Sequence, residues 1–245
     1  MHRFYLPQAF AKNPHQGEIS DAQEIHHLKD VLRLKKGDAV TLFDGEGQQA
    51  PATILKIEPA RVVFQIGRVE VEPTAQPRIV LACAIPKKSK FETIIEKCTE
   101  LGVDEIIPLT TERTVIKVPK EQIARKTERY RSVAVNAAKQ SARNTVPRIR
   151  TICSFAEAVG SLPDDGAAFI PTLGEKKHHL RTALQKLSNP KTLTFFIGPE
   201  GDFTDREVEL AQKKGAAPIS LGRQVLKVDT AAITVTAAAM IHFRS

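Results

Sequence analysis

Three loops that contain glycine follow predicted strands and have the composition of a ligand site. They are residues 173–174, 198–201 and 221–222. Glycine has no Cβ, so its backbone can approach a ligand closely and can adopt positive φ. In an open parallel sheet, ligands bind beyond the carboxyl ends of the strands. Taken together, the loops predict a slot of backbone atoms for a flat, polar nucleoside, although each loop alone is more typical of an ordinary turn.

Other kinds of chemistry have no support in the motifs of the chain. There is no GxGxxG followed by an acidic residue and no GxxxxGK[ST], which disfavours a dinucleotide dehydrogenase and a P-loop NTPase. There is no GxSxG nucleophile elbow. The three cysteines form no CxxC pair and the histidine pairs at 26–27 and 178–179 are adjacent, so we predict no metal site. Cys83 and Cys98 lie within apolar patterns and are predicted to be small core residues. The cysteines fit a reducing compartment, and the chain has no run of about 18 apolar residues that would predict a membrane span.

Positive charge is concentrated in one segment of the sequence. The 245 residues carry 36 Lys and Arg against 28 Asp and Glu, a net charge of +8. Residues 113–150 hold 11 basic and 2 acidic residues, whereas residues 1–72 hold 9 basic and 10 acidic ones. Each neutralised phosphate of a polyanion releases counterions, so this clustering favours a nucleic-acid-binding face over a merely soluble basic surface. Aromatic residues are few and Trp is absent, which argues against base stacking as the main mode of binding.

The first seventy residues are mostly short strands with Gly-rich turns, a pattern typical of a small barrel. Strands are predicted at 4–6, 39–43, 52–57 and 61–69. Residues 44–47 have the composition of a hairpin turn. A helix is predicted from Ser20 to Leu34, with Ser20 as its N-cap. The segment 70–77 contains two prolines and is typical of a linker.

Beyond this linker, buried strands alternate with helices, which implies an α/β domain with a mainly parallel sheet. The predicted strands are 79–85, 105–109, 167–171, 193–197 and 219–221. Helices are predicted to begin at Ser89, Lys120, Thr204 and Thr230, and the helix from Lys120 is predicted to extend to Arg143. Ser89 and Thr204 each precede a glutamate by three residues, as in a capping box, and Asp229 is expected to cap the last helix. We therefore predict two domains, a β-rich domain at 1–72 and an α/β domain at 73–245.

Several sequence blocks occur in the order found in one enzyme family. They lie at 97–103, 107–109, 112–114, 140–147, 197–201 and 221–231. Over nearly its whole length the chain resembles the ribosomal RNA small subunit methyltransferase E family, of the SPOUT superfamily. The resemblance implies a PUA-like β-barrel RNA-binding domain followed by a SPOUT α/β domain with a trefoil knot. It also implies a cytoplasmic homodimer that uses S-adenosylmethionine to methylate N3 of a uridine in 16S ribosomal RNA of the 30S subunit.

Position by position, the resemblance places the cofactor slot on the glycine-bearing loops and the start of the last helix. The residues expected there are Leu173, Gly174, Ile197, Gly198, Glu200, Gly201, Leu221, Gly222, Val225, Leu226, Thr230 and Ala231. Arg113 and Arg143 are candidates for holding RNA or stabilising a uridine anion, with phosphate contact alone as an equal alternative. Residues expected to contact RNA are Arg125, Lys126, Arg129, Lys139 and Arg223.

Four positions depart from the residues usual in the family. Asp202 stands where a second glycine is common, and Asp229 where glutamate is common. Gln224 and Lys227 stand where arginine is common. The change at Gln224 removes the charge that a phosphate or transition-state role of that arginine would need, and the neighbouring Arg223 is the candidate substitute.

Two other functions stay open from the sequence. One is a SPOUT methyltransferase that acts on another RNA, for example at a transfer RNA ribose. The N-terminal barrel and the order of the blocks argue against it. The other is a non-catalytic RNA-binding assembly factor that has lost its cofactor. The presence of Gly198, Glu200, Gly201 and Gly222 argues against that alternative.

Overall fold

The computed structural model describes residues 2–7, 10, 15–87, 90–114, 118–172 and 177–244. The chain forms two compact units. Unit 1 comprises Met1–Thr74 together with Ala138–Val146, and unit 2 comprises Ala75–Ala137 and Pro147–Ser245. The sequence predicted a single division near residue 72 and did not anticipate that the later segment 138–146 belongs to unit 1.

Unit 1 is built on a six-stranded sheet within the described residues. Its strands are β1 (Arg3–Tyr5), β2 (Gln16–Ile19), β3 (Ala39–Phe43), β4 (Gln48–Ile57), β5 (Val62–Ile66) and β6 (Glu70–Val71). The strand order is β1-β3-β4-β5-β2, with β6 paired to β4. Phe4, Leu42, Ile54 and Phe64 face inwards and are almost fully buried, and they form the core with Leu28. The β-rich unit predicted from the sequence is confirmed.

The helix of unit 1 begins one residue later and is shorter than predicted. Asp21, not Ser20, is the N-cap, because its carboxylate accepts hydrogen bonds from the backbone N–H groups of Gln23 and Glu24 at 3.0 and 2.9 Å. The helix α1 (Ala22–His26) continues into a π-helical turn, His27–Val31. Strand β2 was not predicted, because only two of its four residues (QGEI) face the core and the alternation is too short to indicate a strand.

The segment 138–146 is attached to the β3–β4 hairpin of unit 1 by backbone and side-chain hydrogen bonds. The Gly47 N–H donates to the Asn144 carbonyl at 3.3 Å, and the Val146 N–H donates to the Gly45 carbonyl at 2.8 Å. Arg3 Nη2 donates to the side-chain oxygen of Asn144 at 2.5 Å. These pairings give the segment its place in unit 1.

Unit 2 contains an eight-stranded sheet in which all pairs of described strands are parallel. Its strands are β7 (Arg78–Ala84), β8 (Glu105–Thr110), β9 (Arg148–Ile149), β10 (Cys153–Ser154), β11 (Gly166–Pro171), β12 (His178–His179), β13 (Thr192–Ile197) and β14 (Ala216–Ser220). The order is β10-β8-β7-β13-β11-β14-β12, with β9 paired to β8. The predicted α/β architecture is confirmed.

Seven α-helices accompany the two sheets in the described part of the chain, α1 in unit 1 and the others beginning in unit 2. The latter are α2 (Lys90–Glu100), α3 (Lys120–Gln140), α4 (Phe155–Gly160), α5 (Leu180–Gln185), α6 (Asp205–Lys213) and α7 (Val228–Phe243). Thr204 caps α6 in a full capping box with Glu207, as predicted. Ser89, the predicted cap of α2, lies outside the described residues. The short helices α4 and α5 and the two-residue strands were not predicted, because segments this short carry little periodicity.

Two helix ends differ from the prediction. Lys227, not Asp229, is the N-cap residue of α7, and its side chain makes no capping hydrogen bond. Asp229 lies in the first turn, where its Oδ2 is 3.6 Å from Lys90 Nζ. Helix α3 ends at Gln140 rather than Arg143, because Ala142 has a φ of 58° and cannot continue a right-handed helix.

The described residues hold neither a helix suited to a bilayer nor a cluster of metal ligands. None of the helices in the described ranges combines the length and hydropathy that a bilayer crossing requires. In the same ranges, no three His, Cys, Asp or Glu side chains lie close enough together to form a metal site.

Candidate ligand-binding site

Three neighbouring strands of unit 2 end at the same edge of the sheet. Strand β11 lies between β13 and β14, and it pairs with both in parallel. Their last residues are Pro171, Ile197 and Ser220. Because the strands run in the same direction, the loops that follow them meet at one edge, which is the usual position of ligands in open α/β sheets.

A cavity of about 420 Å³ lies among these loops and the start of α7. A volume of this size is typical of sites for small molecules and cofactors. The residues that line it are Pro171, Thr172, Lys177, Ile197, Gly198, Pro199, Glu200, Gly201, Asp202, Ser220, Leu221, Gly222, Gln224, Val225, Leu226, Lys227, Val228 and Ala231. The glycine-bearing loops after β13 and β14 therefore converge, as the sequence predicted.

Nine of the twelve residues predicted for the cofactor slot line this cavity. They are Ile197, Gly198, Glu200, Gly201, Leu221, Gly222, Val225, Leu226 and Ala231. Leu173 and Gly174 fall outside the described residues. Thr230 is exposed in the first turn of α7 and is not a lining residue of the cavity. The structure thus brings most of the predicted set together, and their contact with a cofactor stays a prediction.

The cavity also includes residues that the sequence analysis did not assign to it. Pro171, Thr172 and Ser220 end or follow strands and could have been found from strand ends alone. Lys177 had no signal in the sequence. It reaches the cavity because the strand that follows it, β12, pairs with β14, and its Nζ donates to the Thr172 carbonyl at 3.2 Å.

The loop after β13 adopts a tight turn that explains the aspartate at position 202. Asp202 has a φ of 58°, a conformation that glycine adopts without cost and that aspartate tolerates better than most residues. The Asp202 N–H donates to the Pro199 carbonyl at 3.0 Å, and the Asp202 Oδ1 accepts from the Phe203 N–H at 2.8 Å. The side chain therefore compensates for the strain by making a hydrogen bond that glycine could not make.

Two glycines of the cavity wall have little tolerance for a side chain. A Cβ on Gly198 would lie 3.2 Å from both Cδ2 and the backbone nitrogen of Phe203, and Phe203 is itself buried. Gly222 has a φ of 131°, which side-chain-bearing residues rarely adopt. The backbone path of the two loops thus depends on glycine at these positions.

The loop at 198–203 is also held by residues that follow other strands. The Lys87 N–H, beyond β7, donates to the Glu200 Oε1 at 3.0 Å. Arg113, beyond β8, donates from Nη1 to the carbonyl oxygens of Gly201 at 2.8 Å and Phe203 at 3.3 Å. The side chain of Arg113, a predicted catalytic candidate, is therefore engaged with the backbone of this loop.

Arg143, the second catalytic candidate, belongs to unit 1. Its Nε donates to the Thr145 hydroxyl at 2.7 Å within the segment 138–146. Arg113 belongs to unit 2. The two arginines that the sequence analysis grouped together are thus held by different units of the chain.

The basic residues predicted to contact RNA differ in solvent exposure and in whether they form an ion pair with a neighbouring carboxylate. Arg125 and Arg223 are exposed and Lys126 is half-buried. Arg129 forms an ion pair of 2.7 Å with Glu92, which raises the pKa of its guanidinium, but its side chain stays 67% exposed. Lys139 forms an ion pair with Glu24 within unit 1. Its charge is therefore offset by a neighbour.

The two fully buried cysteines of unit 2 are kept as thiols. Burial raises the pKa of Cys83 well above its usual value and raises that of Cys98 to about 12. A nucleophilic cysteine requires the thiolate, so neither residue has the environment of an activated nucleophile. Both were predicted to be small core residues, which their burial confirms.

Comparison with known protein families supports an RNA-modifying enzyme. Residues 73–240 match the family model for an RNA methyltransferase domain, and residues 19–67 match that for an RNA methyltransferase PUA domain. A ribosomal RNA small subunit methyltransferase E from Synechocystis is 35% identical over 210 residues, which cover 85% of this chain and 67% of that protein. The enzyme of the same name from Bacillus subtilis is 30% identical over 214 residues, which cover 85% of this chain and 84% of that protein.

Solved structures of similar proteins share the whole fold. A methyltransferase from Legionella pneumophila, solved with bound SAM, is 31% identical, has a TM-score of 0.87 and covers 98% of this chain and 96% of that one. A ribosomal RNA small subunit methyltransferase E from Neisseria gonorrhoeae, bound to S-adenosyl methionine, is 27% identical with a TM-score of 0.85, covering 98% and 97% of the two chains. With both domains matched in order and the fold shared end to end, the chain belongs to the ribosomal RNA small subunit methyltransferase E family.

Proposed function

We propose that this protein transfers the methyl group of S-adenosylmethionine to N3 of a uridine in 16S ribosomal RNA of the 30S subunit. The observation that carries the proposal is the cavity at the sheet edge of unit 2, lined by the loops at 198–202 and 220–227. Family members whose structures resemble this chain closely were crystallised with S-adenosylmethionine. Family membership supports ribosomal RNA as the substrate, and uridine N3 is our finer assignment.

The cavity fits a nucleoside cofactor in size and in the chemistry of its lining. Its volume of about 420 Å³ suits a ligand of this class. Backbone groups at Gly198, Gly201 and Gly222 would approach the adenosine part, because no Cβ stands in the way. Ile197 and Leu226 would supply apolar contacts to the purine. When bound, the cofactor supplies a methyl group activated by a sulfonium.

The protein contributes alignment and control of one proton. The reaction breaks the sulfur–methyl bond and the N3–H bond and forms the N3–methyl bond, so it leaves S-adenosylhomocysteine and releases the N3 proton to water. A pocket that fixes the methyl donor opposite the acceptor nitrogen favours an in-line displacement strongly. We propose that Arg143 holds the RNA or stabilises the uridine anion by electrostatic attraction. N3 lies on the Watson–Crick edge, so the target base must be unpaired or extruded.

We propose that RNA is held by cations of α3 and of the loop after β14. Arg125, Lys126, Arg129 and Arg223 present their charges to solvent to differing degrees. Such contacts are independent of sequence and weaken as salt rises, because binding releases counterions from the RNA. We assign Lys139 a supporting role within unit 1 on account of its ion pair with Glu24.

Several finer features of the proposal follow from the family resemblance. We propose a homodimer, a trefoil knot in the α/β domain and a cytoplasmic location, where the 30S subunit is found. We also propose domain limits of 1–72 and 73–245, with the segment 138–146 added to the first domain on the basis of its hydrogen bonds.

The decisive experiment is transfer of tritiated methyl groups to purified small subunits and, in parallel, to naked 16S ribosomal RNA. Nucleoside mass spectrometry of the product should give 3-methyluridine, with the assembled subunit as the better substrate. Label at a ribose of transfer RNA, supplied in a third parallel reaction, would support the other SPOUT activity instead. Absence of both label and S-adenosylhomocysteine binding by calorimetry would indicate a non-catalytic RNA-binding factor.

A further inference from the structure

Arg113 stands at the tip of a short turn that is fixed by its own threonines. The Thr114 hydroxyl accepts from the Thr111 N–H at 2.9 Å, and the two hydroxyl oxygens are 2.8 Å apart. Thr114 is buried. The turn follows β8 directly, so its backbone is anchored to the sheet on one side.

The same turn is tied to the start of α6. The Glu112 N–H donates to Glu207 Oε1 at 3.0 Å, while Glu207 Oε2 accepts from the Thr204 N–H at 2.9 Å. Glu207 is buried and bridges the two segments. The position of Arg113 relative to residues 201–204 is therefore set by two independent attachments rather than by its own side chain.

From this position the Arg113 guanidinium bridges two carbonyls of the cavity loop. Nη1 lies 2.8 Å from the Gly201 oxygen and 3.3 Å from the Phe203 oxygen. The aliphatic part of the side chain runs along Gly201, where a Cβ would be 3.5 Å from Arg113 Cδ. Gly201 lines the cavity, whereas Arg113 is not one of its lining residues.

We propose that Arg113 is a positioning residue, which fixes the loop at 198–203 in the shape that binds the methyl donor. It would act through Gly201 and not through contact with RNA or with the reacting atoms. A guanidinium suits this task because it offers several donors in a rigid plane, which lysine lacks. This inference rests on the proposed function, since it concerns the same cavity.

The test is the affinity of S-adenosylhomocysteine measured by calorimetry in the absence of RNA. The variants are R113M, which keeps the aliphatic stem, and R113K, which keeps the charge. We expect a Kd about tenfold weaker for R113M, a loss typical of a hydrogen bond from a charged donor, and about threefold weaker for R113K. The matched control is R131M, since Arg131 is exposed on α3 and pairs with Glu128, and its Kd should stay within about twofold of wild type.

Kinetics and hydrogen exchange separate this role from direct catalysis. With saturating donor and 30S subunits, R113K should raise the KM for the donor and keep kcat within about threefold. Without any ligand, amide exchange at 198–204 should be faster in both variants.

Unchanged exchange together with an unchanged Kd would overturn the proposal, and a large drop in kcat alone would assign Arg113 to contact with RNA or with the uridine anion. A wild-type protein that binds no S-adenosylhomocysteine would instead refute the proposed function, while the exchange result would still decide whether Arg113 fixes the loop. If R113M fails to fold, R113K carries the test.

Discussion

The Lys139 ammonium lies 2.7 Å from a carboxylate oxygen of Glu24, and both side chains are largely shielded, at 14% and 20% exposure. Lys139 Nζ also lies 5.5 Å from the centre of the Phe4 ring. A cation in this position contributes to the stability of unit 1, because its removal leaves the Glu24 carboxylate with little access to solvent and without this ion pair. Sequence clustering had placed it with the RNA-binding residues.

Lys139→Met is therefore expected to lower the free energy of unfolding by about 1–3 kcal/mol, the usual cost of leaving a partly buried charge unpaired. Thermal and urea unfolding would measure it. The matched control is Arg125→Met, an exposed cation on the same helix, which should cost less than about 0.5 kcal/mol. An equal loss of unfolding free energy in both variants would mean that the ion pair with Glu24 contributes no more to stability than an exposed cation does.

The same two variants should behave in the opposite way towards RNA. Arg125→Met is expected to lower the slope of log affinity against log salt concentration by about one, which corresponds to one lost phosphate contact. Lys139→Met should leave that slope unchanged if the folded fraction is corrected for. Filter binding to 16S ribosomal RNA across a range of KCl concentrations would distinguish them. A slope that falls for Lys139→Met would return this residue to the RNA-binding set.

Gly222→Ala should weaken binding of the methyl donor by more than tenfold. The φ of 131° would cost an alanine about 1–3 kcal/mol, and relief of that strain would move the loop that lines the cavity. Calorimetry with S-adenosylhomocysteine would measure the effect. The matched control is Gly215→Ala, because Gly215 has a φ of 90° with open space around it and lies outside the cavity wall. That variant should lose stability and keep its donor affinity; a loss of affinity in both would point to general destabilisation.

Asp202→Gly should change stability by less than about 1 kcal/mol, because the removal of strain offsets the loss of the hydrogen bond to the Phe203 N–H. Asp202→Ala removes that hydrogen bond and keeps the positive φ. It should therefore be about 1–2 kcal/mol less stable than the glycine variant. Urea unfolding of the pair would test this. Equal stabilities would mean that backbone strain at this position is too small to need compensation by the aspartate side chain.

Alkylation by iodoacetamide should distinguish the three cysteines in the folded protein. Burial raises all three thiol pKa values, most strongly at the fully buried Cys83 and Cys98. At pH 8 we expect slow reaction at the half-buried Cys153 and none at the other two until urea is added, as peptide mass spectrometry would show. Early labelling of Cys98 would contradict its burial.

The same raised pKa makes stability depend on pH in the alkaline range. The folded-state pKa of Cys98 is about 12 against an ordinary value of 9.0. The unfolded chain therefore loses this proton first, and the stabilising contribution is complete below about pH 9 and is lost as pH rises towards 12. Urea midpoints should fall from pH 8 to pH 10.5, and less so in Cys98→Ala than in wild type. An equal fall in both would assign the effect to other groups.

Local patterns were enough to predict the alternation of strands and helices in unit 2. The run at 79–85 became the buried strand β7, and Thr204 with Glu207 formed the predicted capping box. These features depend on side-chain periodicity and on hydrogen bonds between near neighbours. Where several neighbours could do the same task, the sequence was less decisive, as at Asp21, which caps α1 in place of Ser20.

The sequence by itself determined the α/β class, the family and half of the residues that line the cavity, because strand ends and glycines can be read from short segments. Only the tertiary structure showed that residues 138–146 belong to unit 1, that Lys139 pairs with Glu24 and that Arg113 bridges two carbonyls beyond a different strand. Each of these joins positions about 80 or more residues apart in the chain. Contacts over that distance depend on how the strands are ordered in the sheets, and no local pattern encodes that order.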